Sequence, residues 1–155
     1  LKDVERELLG YEGIVLFEIK SEPSLVSEYY PKPKEYADII YNHVKDSPLK
    51  SNYIYMSFDP EILNELHTLM SKERYVLLEY NPFKCFSKLK ESLKFTPHAF
   101  GLNYKIITPK FVNKSHKENI EVFAWTVNEI EMSNELIKIG VDAIITDYPN
   151  LIKHE

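Results

Sequence analysis

Several features common in proteins are scarce in this sequence, and each scarcity excludes a class of protein. The single cysteine, Cys85, leaves no partner for an internal disulfide and excludes a zinc site built from several cysteines. The four glycines are not spaced as in a dinucleotide-binding or phosphate-binding glycine loop. No apolar run approaches the roughly 18 residues that cross a bilayer, so we expect no transmembrane segment. No signal-peptide pattern opens the sequence either, so we expect a cytoplasmic protein.

The charge balance is acidic, which argues against nucleic acid as an obligate partner. Nineteen basic residues stand against 24 acidic ones, for a net charge of −5. Lys34, Lys45 and Lys50 lie among acidic residues and form no basic stripe. With 155 residues, 44% of them hydrophobic, the chain is long enough for one core, and we expect a single domain over residues 1–155.

Short apolar runs alternate with amphipathic stretches along the whole chain. The runs predict strands near residues 14–19, 53–58, 75–80, 121–127 and 141–146, with a helix after each of the first four. Asp59-Pro60 is typical of a helix start, and Gly140 of a helix end. This alternation predicts an α/β fold whose βα units pair their strands in parallel.

The region between residues 96 and 120 is harder to interpret. Tyr104–Ile107 is predicted as a short strand, and Pro109 as the start of a helix. Before it, a helix is predicted within residues 83–95. After it, Asn128-x-x-Glu131 predicts a capping box with Asn128 as the helix N-cap.

Polar residues end the predicted strands, where α/β folds build their sites. The informative segments are Phe17-Glu18-Ile19-Lys20, Ser57-Phe58-Asp59-Pro60, Ala124-Trp125-Thr126-Val127-Asn128 and Thr146-Asp147-Tyr148-Pro149. In this order and spacing, from about Tyr11 to Pro149, the chain resembles the C-terminal part of the glycerophosphodiester phosphodiesterase family, a TIM-barrel family of metal-dependent enzymes. The resemblance implies a partial, truncated TIM barrel and hydrolysis of glycerophosphodiesters to an alcohol and glycerol phosphate.

The sequence departs from the family at its beginning. Family members start with a strand ending His-Arg-Gly, a Glu-x-Asp strand and a His-Asp pair, which supply the proposed acid, base and further metal ligands. None of these motifs is present, and the five histidines lie in other contexts: His43, His67, His98, His116 and His154. A full barrel needs roughly 250 residues, so we expect about the first three βα units to be missing and the chain alone to be poorly active.

Glu18 and Lys20 are the candidate catalytic residues. The resemblance implies that Glu18 binds a divalent metal, with Mg²⁺ or Ca²⁺ expected, and that Lys20 contacts the phosphate of the substrate. A structural reading is also open: Glu18 could pair with Lys20, since residues two apart share a face of a strand. Lys20 could also be a solvated lysine or, much less in keeping with the sequence, a Schiff-base lysine.

Trp125, Ser57 and Phe58 are the other candidate substrate-binding residues. In the resembled family the tryptophan lines the pocket, although a lone tryptophan is equally a core residue. Ser57 and Phe58 would lie at the rim, with packing the stronger alternative for Phe58. Asp147 and Glu79 are strand-end carboxylates for which we expect structural pairing.

Two functions remain open. The first is a phosphodiesterase that takes a glycerophosphodiester small molecule as its substrate. The second is a non-catalytic remnant of the barrel that acts as a binding or interaction module. In either case an incomplete barrel leaves open sheet edges, which a second copy or an N-terminal segment would cover.

Overall fold

The structure is a computed structural model that describes residues 2–21, 25 and 28–150. Six helices and six strands lie in the described part of the chain: α1 (Lys2–Glu7), β1 (Val15–Glu18), α2 (Pro33–Val44), β2 (Tyr53–Ser57), α3 (Pro60–Leu69), β3 (Arg74–Glu79), α4 (Phe86–Glu91), β4 (Ala99–Asn103), α5 (Pro109–His116), β5 (Glu121–Trp125), α6 (Ile130–Lys138) and β6 (Ala143–Ile144). None of the described helices is long and apolar enough to span a bilayer.

The strands form one sheet in chain order, from β1 to β6. Residue pairs such as Glu18 with Met56 in β1/β2 and Asn103 with Trp125 in β4/β5 fix parallel registers. A parallel sheet that keeps chain order, with a helix between successive strands, has the βα organisation of part of a TIM barrel. The predicted fold class is therefore confirmed.

The chain divides into two compact units. The first comprises residues 1–76 and 93–95, and the second comprises residues 77–92 and 96–155. In the first unit, one face of the strands carries a row of aromatic rings whose neighbouring centroids lie 5.5 to 5.8 Å apart, formed by Phe17, Tyr53, Tyr55 and Tyr75. Burial of large rings is the main source of stability for such a layer.

Helix α3 starts as the sequence predicts. The Asp59 carboxylate accepts a hydrogen bond from the Glu61 amide at 3.0 Å, and Pro60 occupies the first turn, where no amide is needed. The helix buries Ile62, Leu63 and Leu66 completely.

The second unit has its own aromatic cluster, in which Phe86 of α4 packs edge-on against Phe100 of β4 and Phe111 of α5. Helix α6 ends at Lys138 with Ile139 as its C-cap, and the next residue, Gly140, has a φ of +93°, the left-handed conformation that glycine adopts at little cost. That glycine was predicted as the helix end, and the prediction is confirmed.

One local prediction is wrong, and two predicted elements are shorter in the structure. The strand of this region is Ala99–Asn103, whereas Tyr104–Ile106 forms a 3₁₀ turn because the Asn103 side chain accepts a hydrogen bond from the Lys105 amide at 3.1 Å. Helix α4 is shorter than the predicted stretch, and the last strand is only Ala143–Ile144. The predicted helix from Pro109 is confirmed as α5.

Candidate functional site

Glu18 and Lys20 lie at the carboxyl end of β1, on either side of a firmly held residue. Ile19 is 2% exposed, and its amide donates to the Met56 carbonyl at 2.8 Å. Because side chains alternate along an extended chain, the buried side chain of Ile19 leaves Glu18 and Lys20 to point away from it together. Their charged atoms, Oε2 and Nζ, are 3.9 Å apart, and the side chains are 32% and 78% exposed. Such an ion pair adds about 1 kcal/mol or less to stability.

Ser57 holds the backbone of this segment from the neighbouring strand. The Ser57 side chain is fully buried; its hydroxyl donates to the Ile19 carbonyl at 2.8 Å and accepts from the Asp59 amide at 3.1 Å. The Ser21 hydroxyl in turn donates to the Asp59 carboxylate at 3.1 Å. Direct contact of Ser57 with a substrate would require this buried hydroxyl to become accessible. Phe58, by contrast, is 37% exposed.

Trp125 is the last residue of β5, in the second unit, and its side chain is partly exposed. Its peptide bond to Thr126 is cis. The chain is pinned before and after the tryptophan: the Ile145 amide donates to the Ala124 carbonyl at 2.8 Å, and the Val127 amide donates to the Ile145 carbonyl at 2.9 Å. The position of Trp125 is therefore fixed by pairing with the strand that follows in the sheet.

Asn128 does not cap helix α6, and this prediction is corrected. The N-cap residue is Glu129, without a side-chain capping bond. The Asn128 amide instead joins the segments after β5 and β6: its Oδ1 accepts from the Thr146 hydroxyl and the Asp147 amide, and its Nδ2 donates to the Asp147 carboxylate at 2.9 Å. The expected structural pairing of Asp147 is thereby confirmed.

Glu79, the last residue of β3, is a structural carboxylate as expected. Its side chain is 6% exposed and lies 2.6 Å from the Lys84 ammonium. It also accepts from the backbone amides of Tyr80 and Asn81 at 2.9 and 2.8 Å. The carboxylate thus fixes the chain that follows β3.

Three of the four described histidines lie near a carboxylate, and the fourth stacks on an aromatic ring. His43, His98 and His116 lie 3.6, 3.4 and 2.8 Å from the carboxylates of Glu5, Glu121 and Asp142, respectively. His67 stacks on the Phe95 ring with centroids 4.0 Å apart, and burial lowers the pKa of its imidazole. His154 lies outside the described residues. These contacts favour structural roles for the histidines.

The described residues do not fit a divalent metal ion by themselves. No group of three or more His, Cys, Asp or Glu side chains converges in residues 2–21, 25 and 28–150. Glu18 offers one carboxylate, and its charged neighbour is a lysine. Mg²⁺ and Ca²⁺ require about six or more oxygen ligands, of which waters supply only part.

Comparison with known proteins gives a consistent picture. Residues 12–151 match the family model of the glycerophosphoryl diester phosphodiesterase family. YhdW of Bacillus subtilis, which carries the name of a glycerophosphodiester phosphodiesterase, is 25% identical over 148 residues, or 91% of this chain and 57% of its own length.

Solved structures share the fold. A glycerophosphodiester phosphodiesterase from Parabacteroides distasonis matches with a TM-score of 0.76 and 24% identity, over 96% of this chain and 59% of that one. An Oleispira antarctica phosphodiesterase, solved in complex with the product sn-glycerol-3-phosphate, matches with a TM-score of 0.82 and 18% identity, over 98% of this chain and 58% of that one. The chain therefore spans somewhat more than half the length of these proteins.

Proposed function

Because the chain belongs to the glycerophosphoryl diester phosphodiesterase family, we propose that it forms part of an enzyme that hydrolyses a glycerophosphodiester to an alcohol and glycerol phosphate. The observation that carries the proposal is the Glu18–Lys20 segment. It presents a carboxylate and an ammonium that form a weak ion pair, on a backbone anchored at Ile19 by two hydrogen bonds. The product bound to the Oleispira antarctica phosphodiesterase supports glycerol phosphate as the ligand class.

Lys20 is proposed to contact the phosphoryl oxygens. Its ammonium is largely exposed and is held near Glu18 by a weak contact only, so a phosphate can replace that contact at little cost. A fixed positive charge stabilises the negative charge that develops on the phosphoryl oxygens as water attacks. Trp125 is proposed to form an apolar wall for the glycerol part, with Phe58 as a further contact and Ser57 acting through the Ile19 carbonyl.

Glu18 is proposed as one ligand of a divalent cation, Mg²⁺ or Ca²⁺, whose other ligands lie outside the described residues. We assign no step of the reaction to the metal, since these residues alone do not hold it. For the same reason we expect the 155-residue chain by itself to hydrolyse glycerophosphodiesters poorly. Each missing general acid or base typically costs about 10²–10⁴-fold in rate.

The binding part of the proposal can be tested with Trp125, the only tryptophan of the chain. Titration with sn-glycerol-3-phosphate should change its fluorescence, and Lys20→Ala should weaken the apparent affinity about tenfold, as expected for loss of a charge-assisted hydrogen bond. Lys34→Ala, an exposed lysine of α2, is the matched control and should leave the titration unchanged. A wild-type emission that does not respond would contradict the proposed role of Trp125.

The metal part is tested in a form of the protein that hydrolyses the substrate. Calorimetric titration with Mg²⁺ or Ca²⁺ should show a steep loss of affinity in Glu18→Gln, because a charged oxygen ligand is replaced by a neutral one of equal size. Lys20→Ala should keep the metal affinity and lose rate. Equal affinity in wild type and Glu18→Gln would remove Glu18 from the metal site.

A second candidate function is a non-catalytic binding module. The histidine contacts and the lack of a metal-ligating group within the described ranges favour it. It predicts glycerol phosphate binding without hydrolysis in any assembled form. A second copy or a further segment would then cover the outer edges of β1 and β6, and sedimentation velocity would detect the dimer.

A further inference from the structure

The distribution of lysine along the chain is strongly uneven. Residues 81–117 contain eight lysines and one acidic residue, Glu91, although the whole chain has a net charge of −5. The rest of the chain is therefore more acidic than the total suggests. A local excess of positive charge of this size produces a field that the net charge conceals.

Part of this positive charge lies on two neighbouring helices of the second unit and the turns before them. Helices α4 and α5 bury Phe86, Leu89 and Val112, which leaves their lysines on the outer faces. Lys88, Lys110 and Lys114 are all exposed, and Lys105 is exposed in the turn after β4. The Lys114 ammonium lies 4.6 Å from the centre of the Phe86 ring, so this lysine of α5 reaches helix α4.

These four charges are not neutralised by the protein. Lys84 and Lys90 pair with Glu79 and Glu118, whereas Lys88, Lys105, Lys110 and Lys114 form no ion pair with any described residue. Lys105 and Lys114 instead lie over the rings of Tyr104 and Phe86. The charges are thus available to an outside anion.

Aromatic side chains project from the turn that leads into α4. Phe83 is 88% exposed and Tyr80 is 65% exposed, in the turn between β3 and α4. The turn is held rigidly, because the buried Glu79 binds its first two amides and Lys84, and the Asn81 side chain accepts from the Phe83 amide at 2.9 Å. Because the Phe83 ring is almost completely exposed, it contributes almost no buried apolar area to the stability of the fold.

We propose that Phe83, Tyr80 and the four lysines form a docking patch for an anionic phospholipid surface. Lysine clusters of this size bind anionic bilayers, and aromatic residues beside them insert at the headgroup level. Single-stranded nucleic acid would instead need a series of aromatic platforms along a basic groove. The patch instead has one phenylalanine, on the turn that leads into α4, and lysines on α4, on α5 and in the turn before α5, which suits a flat interface. This inference is independent of the proposed hydrolysis.

The test is co-sedimentation of the 155-residue chain with vesicles. The chain should bind vesicles of one part phosphatidylglycerol to two parts phosphatidylcholine, should not bind phosphatidylcholine alone, and should be released as salt is raised. Replacing Lys88, Lys110 and Lys114 together by glutamine should weaken binding about fivefold per lysine. Phe83→Ala should weaken it about tenfold, through lost apolar burial.

A matched variant separates the patch from net charge. Lys34, Lys45 and Lys72 are exposed lysines of the first unit, and replacing all three by glutamine changes the net charge equally. This variant should bind anionic vesicles as the wild type does. Melting curves of all variants, measured by circular dichroism, identify any loss of vesicle binding that is due to unfolding. Phe83→Ala, measured over the same salt titration, tests the patch without changing its charge.

Several results would overturn the proposal. They are no binding to anionic vesicles, equal binding to neutral ones, or equal losses in the two triple-lysine variants. Binding to a single-stranded DNA oligonucleotide that depends on the patch, without vesicle binding, would assign the patch to nucleic acid instead.

Discussion

Glu18 and Glu79 occupy the same kind of position and have opposite environments. Each is the last residue of a strand: Glu18 ends β1 and Glu79 ends β3. Glu79 is almost fully buried and is satisfied by two amides and an ammonium at 2.6 Å. Glu18 is partly exposed, and the Lys20 ammonium lies 3.9 Å from its carboxylate.

The difference in burial and in partners distinguishes Glu79, a carboxylate that stabilises the fold, from Glu18, a carboxylate that a ligand can reach. A buried carboxylate is tolerated only when hydrogen bonds and a counter-charge replace its hydration, and Glu79 has both. Glu18 keeps part of its hydration and gives little to stability, so a ligand can bind it without breaking the fold. Strand-end position alone does not distinguish the two; their partners do.

The largest expected effect on stability is that of Glu79→Ala. Loss of the carboxylate leaves two turn amides and the Lys84 ammonium without their acceptor, and we expect a loss of about 2–3 kcal/mol in the free energy of unfolding. Glu18→Ala should change it by about 0.5 kcal/mol or less. Urea unfolding of the two variants measures both values. Equal losses in the free energy of unfolding would show that the two carboxylates do not differ in their contribution to stability.

A smaller effect is expected for Ser57→Ala. The variant removes the donor to the Ile19 carbonyl and the acceptor of the Asp59 amide inside the packed protein, at a cost of about 1–2 kcal/mol. If Ser57 positions Lys20 through Ile19, the affinity for sn-glycerol-3-phosphate should fall as well. Ser115→Ala, at a fully buried serine of α5 whose hydroxyl has no hydrogen-bond partner among the described residues, removes a buried hydroxyl without losing a hydrogen bond and should leave that affinity unchanged.

A further, pH-dependent effect on stability is expected at a third carboxylate, Glu5. Hydrogen bonds from Ser47 and Tyr53, with the charge of His43, hold the pKa of Glu5 below its ordinary value of 4.5, against the opposing effect of burial. A lowered folded-state pKa stabilises the protein above pH 4.5, and this contribution is lost as the pH falls through the lowered pKa.

Glu5→Gln should therefore be less stable than the wild type near neutral pH, by about 1 kcal/mol, with the difference shrinking in acid. Thermal melting at a series of pH values measures it. A difference that stays constant down to the acid limit would show that ionisation of Glu5 does not matter.

The sequence predicted what depends on local pattern. Alternating apolar runs gave the α/β order, Asp59-Pro60 gave the start of α3, and the two-residue spacing placed Glu18 and Lys20 together. Asn128 was misassigned because its partners, Thr146 and Asp147, are distant in sequence, and a nearby capping pattern was the stronger local signal. The strand at residues 99–103 was missed because it contains glycine and asparagine, which are poor strand formers.

The lysine excess in residues 81–117 was missed for a different reason. The lysine excess can be counted in the sequence. The net charge of the whole chain hides it, because the rest of the chain carries an excess of acidic residues. The contrast between Glu18 and Glu79 could not be found that way, since it depends on burial and on a lysine five residues further on.

The hydrogen bond from the Ser57 hydroxyl to the Ile19 carbonyl also limits how the Glu18-x-Lys20 arrangement can be grafted onto another protein. Three residues copied onto the end of an arbitrary strand would keep the side chains but lose the anchor between them. The smallest portable unit is a pair of adjacent strands, with the serine one position beyond the partner of Glu18. Grafting both strands would transfer the backbone anchor at Ile19 together with the Glu18 and Lys20 side chains.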